Sequence, residues 1–183
     1  MDKHILVPIA DGCEEMEAVT IIDTLRRAGG QVTVAGVDSR EVAASRGVKL
    51  VADCLLDDCL AESYDLIVLP GGMPGAQHLH DSEALAQLLA QQVREGKLYA
   101  AICAAPAVVL QPHGFLAGRR ATCHPSFQEH LGDRSYADER VVIDGNCVTS
   151  QGPGTALEFA LALVRLLYGQ KKAAAVAAPM IVP

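Results

Sequence analysis

The chain has 183 residues, half of them hydrophobic and a fifth charged, with a formal net charge of −7. This length predicts one domain, 1–183, whose folding hides about 70% of the area the unfolded chain exposes, enough for stability without disulfides or structural metal. The composition excludes a disordered or fibrous chain, and an acidic balance with no Trp, four Tyr and three Phe argues against a basic, stacking nucleic-acid groove.

In chain order, residues 5–9 read as a buried strand, followed by a turn through Asp11 and Gly12 and an acidic helix start at Glu14, Glu15 and Glu17. Ala18, Ile21, Ile22 and Leu25 fall at helical spacing, and Gly29-Gly30 supplies the stop. Residues 32–37 are the second strand, 42–44 and 48–52 a small hairpin or strand pair about Ser45-Arg46-Gly47, and 55–61 a short helix. The run 65–69 is a strong buried strand that ends at Pro70-Gly71-Gly72. An amphipathic helix follows over 82–95, with Leu85, Leu88, Leu89 and Val93 on one face and Gly96 as its stop. Residues 98–102 form the next strand, Cys103 comes directly after it, and Ala104-Ala105-Pro106 opens a further helix. Late strands at 141–143 and 147–149 flank the turn Asp144-Gly145-Asn146, and a nearly all-apolar helix covers 155–168. Repeated strand and helix units argue an α/β fold with a mostly parallel, doubly wound sheet.

The N-terminus lacks the long apolar region and cleavage site of a signal peptide. The apolar stretches at 155–168 and 173–183 are too short, or interrupted by Glu158 and Arg165, to span a bilayer. A cytoplasmic protein with no membrane partner is expected, and its six cysteines read as free thiols.

Ligand sites in open α/β sheets lie beyond the carboxyl ends of the strands. Three features meet there: the glutamates after the first strand, the Pro-Gly-Gly turn after the middle one, and Cys103. A sharp strand-to-helix turn projects Cys103 like the nucleophile of an elbow, where helix N–H groups favour thiolate. Gly71, Gly72 and Ala104 can aim backbone N–H groups at the same place as an oxyanion hole. One of Glu14, Glu15 and Glu17 can exchange a proton there, though glutamates at a helix start also serve simply as dipole complements. His124 is a candidate neighbour of the site, whereas His78 and His80 read as surface residues. Cys54 and Cys59, five apart, lack the spacing of common zinc sites and read as structural thiols. Leu161, Val164 and Leu167 read as core or subunit-interface residues, and no phosphate-binding or cofactor motif is evident, so no cofactor or metal is expected.

Five motifs in register across the chain carry a resemblance. They are Glu14-Glu15-Met16-Glu17-Ala18, Ser45-Arg46-Gly47-Val48, Leu69-Pro70-Gly71-Gly72, Ala101-Ile102-Cys103-Ala104-Ala105-Pro106, and Thr149-Ser150-Gln151-Gly152-Pro153-Gly154-Thr155. Together they resemble the ThiJ/PfpI (DJ-one) superfamily, most closely its bacterial YajL type, relatives of the human parkinsonism-associated deglycase. The resemblance implies a flavodoxin-like sandwich of the class I glutamine amidotransferase kind, a homodimer, and a cofactor-independent cysteine site. Carried over by position, Cys103 is the oxidisable nucleophile, Glu17 the acid hydrogen-bonded to it and His124 the nearby histidine. Gly72 and Ala104 are the backbone donors, while Arg46 and Gly71 border the substrate or an anion. The implied activity is glutathione-independent glyoxalase or deglycase chemistry on small α-oxo aldehydes or glycated protein and nucleotide adducts, in defence against oxidative and carbonyl stress. The alternative is a redox sensor or redox-regulated chaperone in which Cys103 is oxidised to sulfinate. PfpI-type proteases carry a histidine directly after the cysteine, and Ala104 stands there instead, so peptidase activity is not expected. Cys13 stands where relatives have a small residue and reads as a filler or a resolving thiol.

Overall fold

Apolar side chains that alternate along the strands face two different layers, and this period of two organises the molecule. In the computed structural model, which describes residues 2–182, Leu6, Ile67, Leu69, Tyr99, Ala101 and Cys147 point into one core. Ile5, Val7, Ile9, Leu66, Val68, Ala100, Ile102 and Val148 point into the other. A sheet buried on both faces by intervening helices is the doubly wound solution.

The strands are β1 (His4–Ile9), β2 (Gln31–Gly36), β3 (Glu41–Ala43), β4 (Lys49–Val51), β5 (Cys54–Leu55), β6 (Leu66–Leu69), β7 (Leu98–Ile102), β8 (Val141–Asp144) and β9 (Cys147–Ser150). Seven of them form one sheet in the order β5-β2-β1-β6-β7-β9-β8. All its pairings are parallel except β8 with β9, and β3 and β4 form a separate antiparallel hairpin. The helices are α1 (Glu15–Arg27), α2 (Gly75–Asp81), α3 (Glu83–Arg94), α4 (Ala156–Tyr168) and α5 (Gln170–Ala177). Residues of α1, α4 and α5 pack into one core, and those of α2 and α3 into the other. This is the α/β, flavodoxin-type architecture with a mostly parallel central sheet, of the class I glutamine amidotransferase kind.

Local chemistry sets the helix ends. Ser82 accepts from the Leu85 N–H and so caps α3. Glu14 accepts from the Met16 N–H at the start of α1, and Arg26 and Arg27 close that helix at its negative end.

One expectation is corrected, one helix is unforeseen, and one expected helix takes a π form. Residues 55–61 do not form a helix: Cys54 and Leu55 pair with Ala35 and Gly36 as the sheet edge, leaving only a 3-10 turn over Leu56–Cys59. Residues 75–81 form α2, a helix that Gly75 and the polar Gln77, His78 and His80 disguise. After Cys103 the chain makes a short π-helical segment, Pro106–Leu110, in which the Gln111 N–H reaches the Pro106 carbonyl. Pro106 is tolerated because it stands in the first turn, where the N–H it lacks would have no helical partner.

Among the described residues, no helix is long and apolar enough to cross a membrane.

Candidate active site

The carboxyl ends of β1, β6, β7 and β9 lie on one edge of the sheet, and the segments leaving them carry the candidate residues. Cys103 leaves β7 with φ of +65°, a left-handed conformation uncommon for a residue with a Cβ. Two main-chain bonds hold it there: its N–H donates to the Ser150 carbonyl at 3.0 Å, and its carbonyl accepts from the His124 N–H at 2.8 Å. Such a conformation costs about 1–3 kcal/mol and persists only where its surroundings over-determine it.

The glycine turn after β6 fits tightly against this elbow. A Cβ on Gly71 would lie 2.5 Å from the Cys103 Cβ and 2.8 Å from the Ile102 carbonyl. Gly72 has φ of +85° and leaves no room for a side chain against the main chain of Gly12, Cys13 and Glu14. Glycine at both positions lets the backbone approach the thiol closely, and the nearby Gly72 and Ala104 N–H groups favour its charged form.

The three glutamates separate cleanly. Ser45 Oγ donates to Glu14 at 2.9 Å and to Glu15 at 3.0 Å, and the Arg46 N–H donates to Glu15 at 2.9 Å. Burial works against the Glu15 charge, yet these donors and its own helix N–H hold its carboxyl below the usual range. Both residues thereby fasten the β3–β4 hairpin to the start of α1. Glu17 differs: it is fully buried, and its Oε2 accepts from the Gly71 N–H at 2.7 Å. Its Oε1 is buried with no hydrogen-bond partner. Burial pushes its pKa up to about 7, against the pull of the Gly71 N–H and the Cys103 thiol.

Burial and the adjacent Glu17 charge push the Cys103 thiol up to about 12, opposed by the Gly72 and Ala104 N–H groups. The two side chains therefore share a proton problem. When Glu17 holds its proton, the repulsion disappears and its orphaned oxygen becomes a donor suited to a thiolate. When Glu17 is ionised, the sulfur keeps its proton.

The remaining candidates lie as follows. Gly71 has both main-chain groups engaged, its N–H by Glu17 and its carbonyl by the Glu14 N–H, so it supports Glu17 and has no N–H left for an anion. His124 is half-buried, and its Nδ1 accepts from the Ser126 N–H at 3.2 Å. Among the described residues that ring makes no hydrogen bond with Cys103 or Glu17, and its link to the elbow is through main chain. Arg46 is exposed at the hairpin tip and touches the cluster through its N–H. Cys13 is fully buried, and burial pushes its thiol up to about 11. A cavity of about 650 Å³ between β8, α4 and α5 includes none of these residues. No three His, Cys, Asp or Glu side chains among the described residues converge as a metal would require.

Sequence reasoning assigned no role to Ser150. Its carbonyl anchors Cys103, and its hydroxyl is tied to Thr155 Oγ1 at 2.6 Å and to the Arg140 carbonyl at 2.6 Å. The signal was the Thr149–Thr155 motif, whose hydroxyls and glycines fix the backbone beside the elbow.

Comparison with known proteins agrees with this geometry. The chain is 56% identical over 170 residues to Protein DJ-1 homolog B of Arabidopsis thaliana, a match covering 92% of this chain and 39% of that one. It thus spans about two fifths of the length of that plant relative. It is 40% identical over 178 residues to a Caenorhabditis elegans protein named glutathione-independent glyoxalase DJR-1.2, covering 96% and 94% of the two chains. The structure of oxidized DJ-1 from Toxoplasma gondii superposes with a TM-score of 0.95 at 48% identity, covering 98% of each chain. These three relatives are eukaryotic, and the likeness is to the DJ-1/PfpI family as a whole rather than specifically to its bacterial YajL type. The model of the DJ-1/PfpI family matches residues 3–166, which include every residue of the Cys103 cluster. With that coverage and that elbow, the chain belongs to the DJ-1/PfpI family.

Proposed function

We propose that this chain is a cofactor-independent cysteine enzyme that converts small α-oxo aldehydes to 2-hydroxy acids without glutathione. The observation that carries the reading is Glu17: a buried carboxyl with one unpartnered oxygen, pushed up to about 7, beside a thiol on a strained elbow. A group titrating near neutrality can both give and take a proton during turnover.

Each step has an agent. The Cys103 proton passes to Glu17, and the thiolate adds to the aldehyde carbon, forming a C–S bond and an alkoxide. The Gly72 and Ala104 N–H groups hold the alkoxide until Glu17 returns the proton to it. Glu17, ionised again, removes the hydrogen from that carbon and delivers it to the adjacent carbon, while the hydroxyl proton passes to the neighbouring ketone oxygen; the C–OH thereby becomes the carbonyl of a thioester and the ketone becomes the 2-hydroxyl. Water cleaves the thioester, releasing lactate from methylglyoxal or glycolate from glyoxal and restoring the thiol. His124 and Arg46 border the substrate in this reading. Glycated protein or nucleotide adducts that expose the same oxo-aldehyde carbon are further substrates.

The name of the nematode relative supports the substrate class, and the Ala101–Pro106 run supports a YajL-type likeness. Met16, Val19, Val48 and Val51 are exposed on α1 and the adjoining hairpin, an apolar surface suited to a homodimer. A reducing cytoplasm would keep Cys103 reduced. The second reading, a redox sensor or redox-regulated chaperone, draws on the same N–H donors, which would equally hold sulfinate oxygens; the oxidized state of the Toxoplasma relative supports it.

The test is glutathione-free consumption of methylglyoxal with lactate detection in the parent, Cys103→Ser and Glu17→Gln at equal fold content. Turnover in the parent that is lost in both variants is expected. No turnover in a parent whose Cys103 is still selectively oxidised by peroxide would transfer the site to the sensor reading.

A further inference from the structure

A pair of sulfurs stands apart from the Cys103 cluster, at the β5 edge of the sheet. Cys54 lies on edge strand β5, paired to Ala35, and the 3-10 turn that follows carries Cys59 back beside it. The two Sγ atoms are 3.6 Å apart. Cys59 is buried, with the Leu55 carbonyl 3.7 Å from its sulfur, whereas Cys54 is only half-buried and gives solvent a route to the pair. A disulfide brings two sulfurs to about 2.0 Å, so bonding needs a modest closure within one turn of chain. The spacing that excludes a common zinc site therefore leaves a dithiol, and the sequence reading of two inert structural thiols is incomplete.

We propose that Cys54 and Cys59 form a reversible thiol–disulfide site, separate from Cys103, that is oxidised by small disulfides of neutral or cationic character. The Cys54 thiol loses its proton to solvent, and its sulfur attacks one sulfur of the small disulfide. That step forms a mixed disulfide and releases one small thiol, which takes up a proton. Cys59 then gives up its proton and attacks the Cys54 sulfur, forming the internal bond and releasing the second small thiol. Two protein thiols are oxidised, one small disulfide is reduced to two thiols, and the protein loses two hydrogens. Charge selects the oxidant: Asp57 and Asp58 are exposed beside the pair and repel anionic disulfides. Burial, the Cys59 sulfur and the Asp58 and Asp53 carboxylates push the Cys54 thiol up to about 11, so the exchange is slow at neutral pH and accelerates with alkalinity.

The sequence provides a clean readout. Trypsin cleaves after Lys49 and Arg94 and nowhere between, and the 50–94 peptide contains Cys54 and Cys59 as its two cysteines. The full chain is incubated with cystamine, alkylated under denaturing conditions and digested. The expected product is a 50–94 peptide two hydrogens lighter, protected from alkylation and restored by dithiothreitol. Cys59→Ser should stop at a cysteamine adduct on Cys54. The initial rate should rise about tenfold per pH unit below the Cys54 pKa, and glutathione disulfide should react more slowly than cystamine at low salt. Methylglyoxal turnover by Cys54→Ser should match the parent. A parent peptide that stays doubly alkylated, a stable cysteamine adduct on parent Cys54, or a bridge from either cysteine to another peptide would each overturn the proposal. If Cys59→Ser fails to fold, Cys59→Ala carries the same trapped-adduct criterion.

Discussion

Replacing Glu17 by Gln tests the buried carboxyl through stability, independently of any substrate. Glu17 is fully buried, and burial raises its pKa from an ordinary 4.5 to about 7. A carboxyl whose folded pKa is raised binds its proton more tightly in the native state than in the unfolded one. Its contribution is therefore fully present below its unfolded pKa and is lost as pH rises through its folded value. With the two values above, the native state loses about 2.5 kcal/mol from this group between about pH 5 and pH 8.5. Gln keeps the shape and the oxygen that accepts from the Gly71 N–H, but it cannot ionise. Guanidinium unfolding of parent and Glu17→Gln at both pH values isolates the effect, because the other titrating groups are common to both chains. The variant should gain about 2.5 kcal/mol relative to the parent on going to the higher pH, a shift of about half a molar in midpoint. A difference that stays constant across the two pH values would refute the assignment of a raised carboxyl, and with it the proton-shuttle role.

Two further predictions probe different parts of the structure. Gly71→Ala should cost about 1–3 kcal/mol by overpacking and should impair methylglyoxal turnover more strongly than fold, since the added methyl meets the Cys103 Cβ and the Ile102 carbonyl; wild-type activity in a folded variant would show that the glycine turn does not hold the elbow. Ser82→Ala removes the acceptor of the Leu85 N–H at the start of α3 and should lower stability by about 1 kcal/mol, with turnover unchanged, by thermal melts and kinetic assay.

What sequence could show followed the strength of the local signals. The strand at 65–69 is an unbroken apolar run closed by Pro70-Gly71-Gly72, the helix beyond Ser82 carries both periodicity and a cap, and the structure places each within a residue of expectation. α2 escaped because its helical signal is diluted by Gly75 and polar residues, while its burial through Ala76 and Leu79 depends on tertiary packing. The reading of 55–61 failed because two of its residues complete a sheet edge, a choice made by the neighbouring strand rather than by propensity. Cys103 could be singled out by its place between a strand and Pro106. Spacing alone could not choose among Glu14, Glu15 and Glu17, because the choice depends on which carboxyls the Ser45-Arg46 turn engages, and that turn lies some thirty residues away. The proximity of Cys54 and Cys59 was invisible for a similar reason: a helix over those residues would have separated sulfurs that the 3-10 turn brings together.

The anchoring of Cys103 by Ser150 also governs when the thiol acquires its environment. Ser150 ends β9, which enters the sheet between β7 and β8 and is the last strand to emerge during synthesis. Until β9 docks, the carbonyl that receives the Cys103 N–H is missing, and nothing on that side holds the left-handed elbow against relaxation. A nascent or truncated chain that ends before residue 147 thus carries the cysteine without its fixed orientation. Completion of the fold, rather than the presence of the cysteine alone, sets the orientation that the proposed chemistry requires.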